Sequence, residues 1–186
     1  CYNIMSQIYT VKRLDSMAFE WQLKEIELTE KYDLENYNIS QTYSQISSYY
    51  INTNQPEKAL EALKKADATA YSPTQKISVQ LEYVNYYSKF GDMQAAEKIL
   101  NECKTAFDQD KRLWSIKKRL YNIEYVYYLQ SKQYPKALEA AKKQEAEELN
   151  LSESIQNSVH YLTKGKIYSN MGNMSEASKY LQMYIE

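Results

Sequence analysis

Apolar residues along this chain recur every three or four positions, in stretches separated by short polar breaks, and that period predicts helices throughout. Residues 37–53 carry Tyr43, Ile46 and Tyr50 on one helical face. Asn52–Gln55 reads as a polar turn, and Pro56 stands where the first turn of a helix accepts proline. Residues 57–69 form an Ala-rich helix with Glu57 and Glu61 early and Lys64 and Lys65 late, which complements the helix dipole. Ser72-Pro73 is the clearest boundary, a capping serine followed by a first-turn proline. Helices follow over 74–90, 93–107, 112–132, 136–149 and 153–171, with a last one after the Gly172–Ser175 turn. Gly91-Asp92, the polar run 108–111 and Gln133–Pro135 separate them, and Ser152 is placed as a cap. Residues 2–31 hold an earlier hairpin, in which Asp15-Ser16 separates the helices and Trp21, Leu23, Ile26 and Leu28 supply the apolar positions of the second. A polar break, Asp33–Asn36, comes after it. The pattern predicts one all-α domain of about ten helices.

The helices repeat as pairs. Ile8-Tyr9, Tyr49-Tyr50, Tyr86-Tyr87, Tyr127-Tyr128 and Ile167-Tyr168 mark the first helix of each pair, and Ala18, Ala59, Ala96, Ala137 and Ala177 mark the second. Every alanine lies nine residues after its second tyrosine, while the repeats themselves are 41, 37, 41 and 40 residues apart. A fixed spacing inside the pair and a variable one between pairs is what stacked helical hairpins require. A small residue at the alanine position lets the paired backbones approach.

These residues resemble the tetratricopeptide (TPR) family, whose unit is a 34-residue helix–turn–helix. Aromatics begin the first-helix stripe at Tyr43, Tyr121 and Tyr161, and glycine marks the turn at Gly91 and Gly172. Met93, Tyr134 and Met174 precede the alanine by three, and Leu63, Leu100 and Leu181 follow it by four. The period is longer than the family's, glycine is missing from three of five turns, and the first repeat is poor after Ala18. The resemblance implies a right-handed α-solenoid of about five antiparallel hairpins, with repeats near 1–33, 34–71, 72–109, 110–150 and 151–186. It also implies a concave surface lined by the first helix of each pair. The lengthened repeats and the Asn-, Lys-, Tyr- and Ile-rich composition are similar to TPR sensor regions of Bacteroidetes-type bacterial regulators.

Composition narrows the function classes. Three glycines and three prolines in 186 residues suit an all-helical chain, and twenty tyrosines against three phenylalanines suit half-buried helix interfaces. A net charge of −1 leaves no electrostatic footprint for nucleic acid or an anionic membrane. No apolar run is long enough to span a bilayer, so membrane contact is expected only through segments outside this chain. Cys1 and Cys103 make no disulfide framework; Cys103 is expected as a small buried residue. Cys1 reads either as a lipidated terminal cysteine or as the point where a piece of a longer protein begins. His160 has no metal-spaced partners and is expected to be a partly exposed helix residue, and the acidic cluster Glu145, Glu147 and Glu148 to be a solvated face. No phosphate loop or nucleophile elbow is present, so the expectation is no catalytic residue, no metal and no cofactor.

The remaining candidates lie on the first helices, away from the apolar stripe: Gln41, Ser44, Ser48, Asn52, Ser78, Asn85, Lys89, Arg119, Asn122 and Lys166. Amides and hydroxyls can hydrogen-bond an extended peptide backbone, and Arg119 and Lys166 can take a carboxylate. The other reading makes them ordinary solvent-facing residues. Tyr50, Tyr87, Tyr128 and Tyr168 are expected inside their hairpins, with Tyr49, Tyr86 and Tyr127 between repeats or in the groove. The functional expectation is a non-catalytic protein- or peptide-binding module, the sensory or interaction region of a larger bacterial regulator in a periplasmic or membrane-anchored setting. The alternatives are a scaffold that self-associates and a small-ligand receptor using the concave face.

Overall fold

The computed structural model describes residues 2–12, 14–32, 34, 36–148 and 153–185. Ten α-helices account for most of them: α1 (Tyr2–Val11), α2 (Asp15–Lys31), α3 (Ile39–Asn52), α4 (Pro56–Thr69), α5 (Pro73–Phe90), α6 (Met93–Gln109), α7 (Lys117–Gln130), α8 (Tyr134–Glu148), α9 (Glu153–Asn170) and α10 (Met174–Ile185). No strand occurs among the described residues, and the fold is the all-α helical-hairpin class that the periodicity predicts. The helices gather into two compact units, Cys1–Tyr86 and Tyr87–Glu186, with the division inside α5. Expectations for Cys1, Asp33, Glu35, Ser152 and the Glu148 side chain lie outside the described residues.

One local geometry explains the spacing of nine. In four of the five hairpins the second residue of the marker pair accepts a backbone bond from five residues on: Leu14 to Tyr9 at 2.9 Å, Gln55 to Tyr50 and Gln133 to Tyr128 at 2.8 Å, and Asn173 to Tyr168 at 3.0 Å; in the other, Tyr87 accepts from Gly91 at 2.9 Å. The residue between, four after the tyrosine, is left-handed: Asn54 (φ 58°), Gly91 (96°), Lys132 (59°) and Gly172 (75°). The N–H groups of Asn54, Lys132 and Gly172 reach the carbonyls of Ile51, Leu129 and Ser169 at 3.0–3.2 Å, which completes the Schellman ending. The residue that closes this ending is also the N-cap of the next helix. Its carbonyl accepts the first bond of that helix, from the marker alanine, at 3.0 Å in all five hairpins: Leu14–Ala18, Gln55–Ala59, Asp92–Ala96, Gln133–Ala137 and Asn173–Ala177. Five residues to the shared cap and four to the first bonded N–H leave no slack, whatever the side chains.

Packing uses the same register. None of the five marker alanines is more than 4 % exposed. In the first unit, Ile26, Tyr43, Ile46, Ala62, Ala66, Ala70 and Val79 form the core, with Phe19, Ile39, Tyr50 and Tyr83 against it. In the second, Ala137, Ala141 and Ile167 are packed by Tyr125, Tyr128, Leu129, Tyr134 and Leu138. Gly165 brings α9 and α10 together, since a Cβ there would stand 2.8 Å from two carbons of Leu181.

Four expectations are corrected. Asp15 begins α2, so the first turn precedes it and Leu14 is the cap. The buried face of α2 is Ala18, Gln22, Glu25 and Ile26, with Leu23 exposed, because the stripe follows the register set by Ala18. Residues 111–116 form a 3-10 helix before α7: the Asp110 carboxylate accepts from the Arg112 N–H at 2.9 Å, which tightens the first turn, and Leu113 anchors it in the core. His160 is buried, not partly exposed.

Candidate partner-binding groove

The strongest candidate lies along α3, in the first unit. Its apolar face, Tyr43, Ile46 and Tyr50, is spent on the core. Steps of three and four from Gln41 place Gln41, Gln45, Ser48 and Asn52 along one other stripe of the helix. An open cavity of about 370 Å³ adjoins this stripe, lined by Gln45, Ser48, Tyr49, Asn52 and Thr53 of α3 and its end, and by Thr10, Asp15, Ala18 and Gln22. Gln22 donates to Gln45 Oε1 at 3.0 Å, tying α2 to α3 across the cavity floor. Tyr49 stacks on Phe19 with ring centroids 4.0 Å apart, so its ring forms a rigid wall.

A buried carboxylate supports the far side. Glu82 of α5 is 3 % exposed and its Oε1 accepts from Ser48 Oγ at 2.6 Å and from Asn85 Nδ2 at 2.8 Å. Ser48 and Asn85, both singled out in the sequence, are therefore brought together by a third residue that was not. Gln45 was also missed; its four-residue step from Gln41 is the signal that finds it. Ser44 is corrected: it lies off the stripe, is buried, and donates to the Ser40 carbonyl at 3.0 Å. Gln41 and Asn52 are exposed and Ser78 is half-buried. The second unit carries the other four: Lys89, Asn122 and Lys166 are exposed and Arg119 is half-buried.

On the opposite face of α3, Tyr43 donates to Glu30 Oε1 at 2.6 Å, with Lys65 Nζ 3.6 Å from the same oxygen. Burial, and then the Glu30 carboxylate, lifts the Tyr43 hydroxyl above the ordinary tyrosine range. The Tyr43 hydrogen bond, helped by the Lys65 charge, holds Glu30 below the usual carboxylate range. In the second unit Lys104 lies 2.9 Å from Glu124 and 3.4 Å from the Tyr128 hydroxyl. Burial works against its charge, but Glu124 outweighs it and holds Lys104 above the usual lysine range. Cys103 is buried, as expected, and burial with the Glu102 charge pushes its thiol up to about 12, which keeps it protonated and unreactive. Among the described residues no group of His, Cys, Asp and Glu is arranged to hold a metal ion, and no helix is long and apolar enough to cross a membrane.

Stacked hairpins with one turn register define a TPR-like helical-repeat protein, a fold typical of protein-interaction modules. A tetratricopeptide repeat model matches residues 161–186. A family model described as 26S proteasome subunit RPN7, also a helical-repeat family, matches residues 10–141, more than half of the chain, and the chain belongs to that family. No curated protein matches the chain significantly. Among solved structures, two crystal structures of the nearly identical TPR-like repeats of a Podosopora anserina protein described as a kinesin light chain, one of them of a single-residue variant, share 17 % identity with it. They have TM-scores of 0.52 and 0.50, over 98 % of this chain and 91 % of theirs. The crystal structure of MamA shares 18 % identity with a TM-score of 0.49, over 97 % of this chain and 92 % of that one. At these identities the likeness speaks to fold alone.

Proposed function

We propose that this chain is a non-catalytic module that binds an extended segment of a protein partner, as the sensory or interaction region of a larger bacterial regulatory protein. The observation that carries the reading is the α3 cavity, whose walls are mostly amides and hydroxyls, with Ala18, one stacked tyrosine ring and the single carboxylate of Asp15. Such a surface exchanges hydrogen bonds with a peptide backbone, and Asp15 is the one charged group in its lining. The net charge of −1 argues against nucleic acid as the partner. A periplasmic or membrane-anchored setting goes with the regulator reading, with any anchor supplied by other segments.

The test is selection of peptides from a random library on the full chain, followed by titration of the selected peptides. Asn52→Ala is expected to weaken binding roughly 5- to 10-fold, the worth of about one hydrogen bond. Peptides that bind equally well to Asn52→Ala and Gln45→Ala would remove α3 as the site. For the regulator context, the coding sequence after Glu186 decides: a kinase or helix-turn-helix output supports it, and an early stop does not.

A further inference from the structure

On the side of α3 away from the groove, α2, α3 and α4 border an open cavity of about 310 Å³, within the range of small-ligand sites. The buried Ile26, Ile46 and Ala62 make its floor, and the rings of Tyr43 and Tyr50 wall it. Lys58 and Glu61 are exposed and three residues apart on α4, so they stand side by side at the mouth.

The second unit carries the same side chains in the same register. Tyr43, Tyr50, Lys58, Glu61, Ala62 and Lys65 each have their own residue type 78 positions on, at Tyr121, Tyr128, Lys136, Glu139, Ala140 and Lys143. Placement repeats as well: Lys58 Nζ lies 5.5 Å from the centre of the Tyr50 ring, and Lys136 Nζ 5.4 Å from that of Tyr128. The floor is what differs. Ile26 and Ile46 have Lys104 and Glu124 as counterparts, an ion pair at 2.9 Å, with Lys104 also 3.4 Å from the Tyr128 hydroxyl. The mouth differs with it. Lys136 donates to Gln133 Oε1 at 2.8 Å, and Lys143 meets Glu139 at 2.7 Å. In the first unit Lys65 turns instead to Glu30, at 3.6 Å, and among the described residues Lys58 and Glu61 have neither an ion pair nor a hydrogen bond. The second unit satisfies its charges internally. The first keeps an apolar space with an uncommitted cation and an uncommitted carboxylate one turn apart.

We propose that the cavity of the first unit binds a free apolar α-amino acid of about the size of leucine or phenylalanine. Its side chain lies on Ile26 and Ile46 beside the two tyrosine rings, where it leaves water. Its carboxylate meets Lys58 and its ammonium meets Glu61, both as charge-assisted hydrogen bonds. A zwitterion answers both groups at once, whereas an apolar anion or an apolar cation would leave one of them facing a like charge. The site shares no lining residue with the α3 groove and does not rest on that reading.

NMR titration of the isotope-labelled full chain tests it, with phenylalanine, leucine, hydrocinnamate, which lacks the ammonium, and phenethylamine, which lacks the carboxylate. The two amino acids are expected to bind at about 0.1–1 mM and to shift amides of α2, α3 and α4. Each single-charge analogue should bind about 5- to 10-fold more weakly than phenylalanine. Lys58→Gln should weaken phenylalanine by a similar factor and leave phenethylamine no weaker, and Glu61→Gln should weaken phenylalanine and leave hydrocinnamate no weaker. Both positions are exposed, and circular dichroism checks that the helices persist. Ile26→Lys with Ile46→Glu gives the first unit the floor of the second and should abolish binding; if that variant does not fold, the two exposed variants decide. No shift with either amino acid up to about 10 mM overturns the proposal. So do analogues that bind as tightly as phenylalanine, phenylalanine binding that is unchanged in Lys58→Gln and Glu61→Gln, or a folded floor variant that binds as before.

Discussion

The hairpins α7/α8 and α9/α10 have the same turn and the same alanine, and fill the space between their helices in opposite ways. In α9/α10 the first helix offers Gly165, three residues before Tyr168, and the second offers Leu181, four after Ala177. In α7/α8 the corresponding first-helix residue is Tyr125, packed on Ala137 and Ala141, and Ala141 is the counterpart of Leu181. Bulk has moved from one helix to the other. The α3/α4 hairpin follows the first solution, with buried Ser47 donating to the Ala59 carbonyl at 3.0 Å and Leu63 buried on α4. What the repeats hold constant is backbone geometry, while side-chain volume is balanced locally across each pair.

The largest effect should come from emptying the bulky side. Tyr125→Ala removes a packed ring opposite two alanines that cannot fill the gap, and is expected to cost about 3 kcal/mol in urea unfolding. Adding Ala141→Leu installs the arrangement of α9/α10 and should recover part of that loss. A double variant no more stable than Tyr125→Ala would show that the two positions do not share one space. Next comes Gly165→Ala. Its Cβ would meet Leu181 at 2.8 Å, so a loss of about 1–3 kcal/mol is expected, reduced when Leu181→Ala is combined with it. If Gly165→Ala proves neutral, the close approach of α9 and α10 is not held by that glycine.

How much of this was readable beforehand follows from which link each feature depends on. The tyrosine-to-alanine spacing is set by one turn geometry, so it survives in the sequence wherever the turn does. The burial of all five alanines was therefore foreseeable. The turn residue was not: Asn54 and Lys132 take the left-handed conformation that Gly91 and Gly172 adopt freely, and nothing in a lysine announces it. At the groove, Asn52 and Gln41 could be placed by helical phase alone. Ser44 was assigned to the wrong face because a step of three from Gln41 was followed where the step of four leads to Gln45. Glu82 was missed because its role depends on α3 and α5 lying side by side, which no local pattern in either helix encodes.

The turns sharpen the same comparison at smaller scale. Lys132 holds φ 59° where its counterpart Gly172 holds 75°, and a side chain with a Cβ is disfavoured there by about 1 kcal/mol. Lys132→Gly is expected to stabilise the chain by up to about that amount, less whatever the freer unfolded glycine takes back. A destabilised Lys132→Gly would mean that the lysine makes a compensating contact. The caps differ as well. Asn173 accepts the Glu176 N–H on its side chain at 3.2 Å, as Asp92 does for Ala95 at 3.0 Å, whereas Gln133 donates to Ser131 instead. Asn173→Ala should therefore cost about 0.5–1 kcal/mol, and Gln133→Ala less than half of that. Equal losses at the two positions would show that the shared cap works through its backbone carbonyl alone, and that the asparagine side chain adds nothing to the turn.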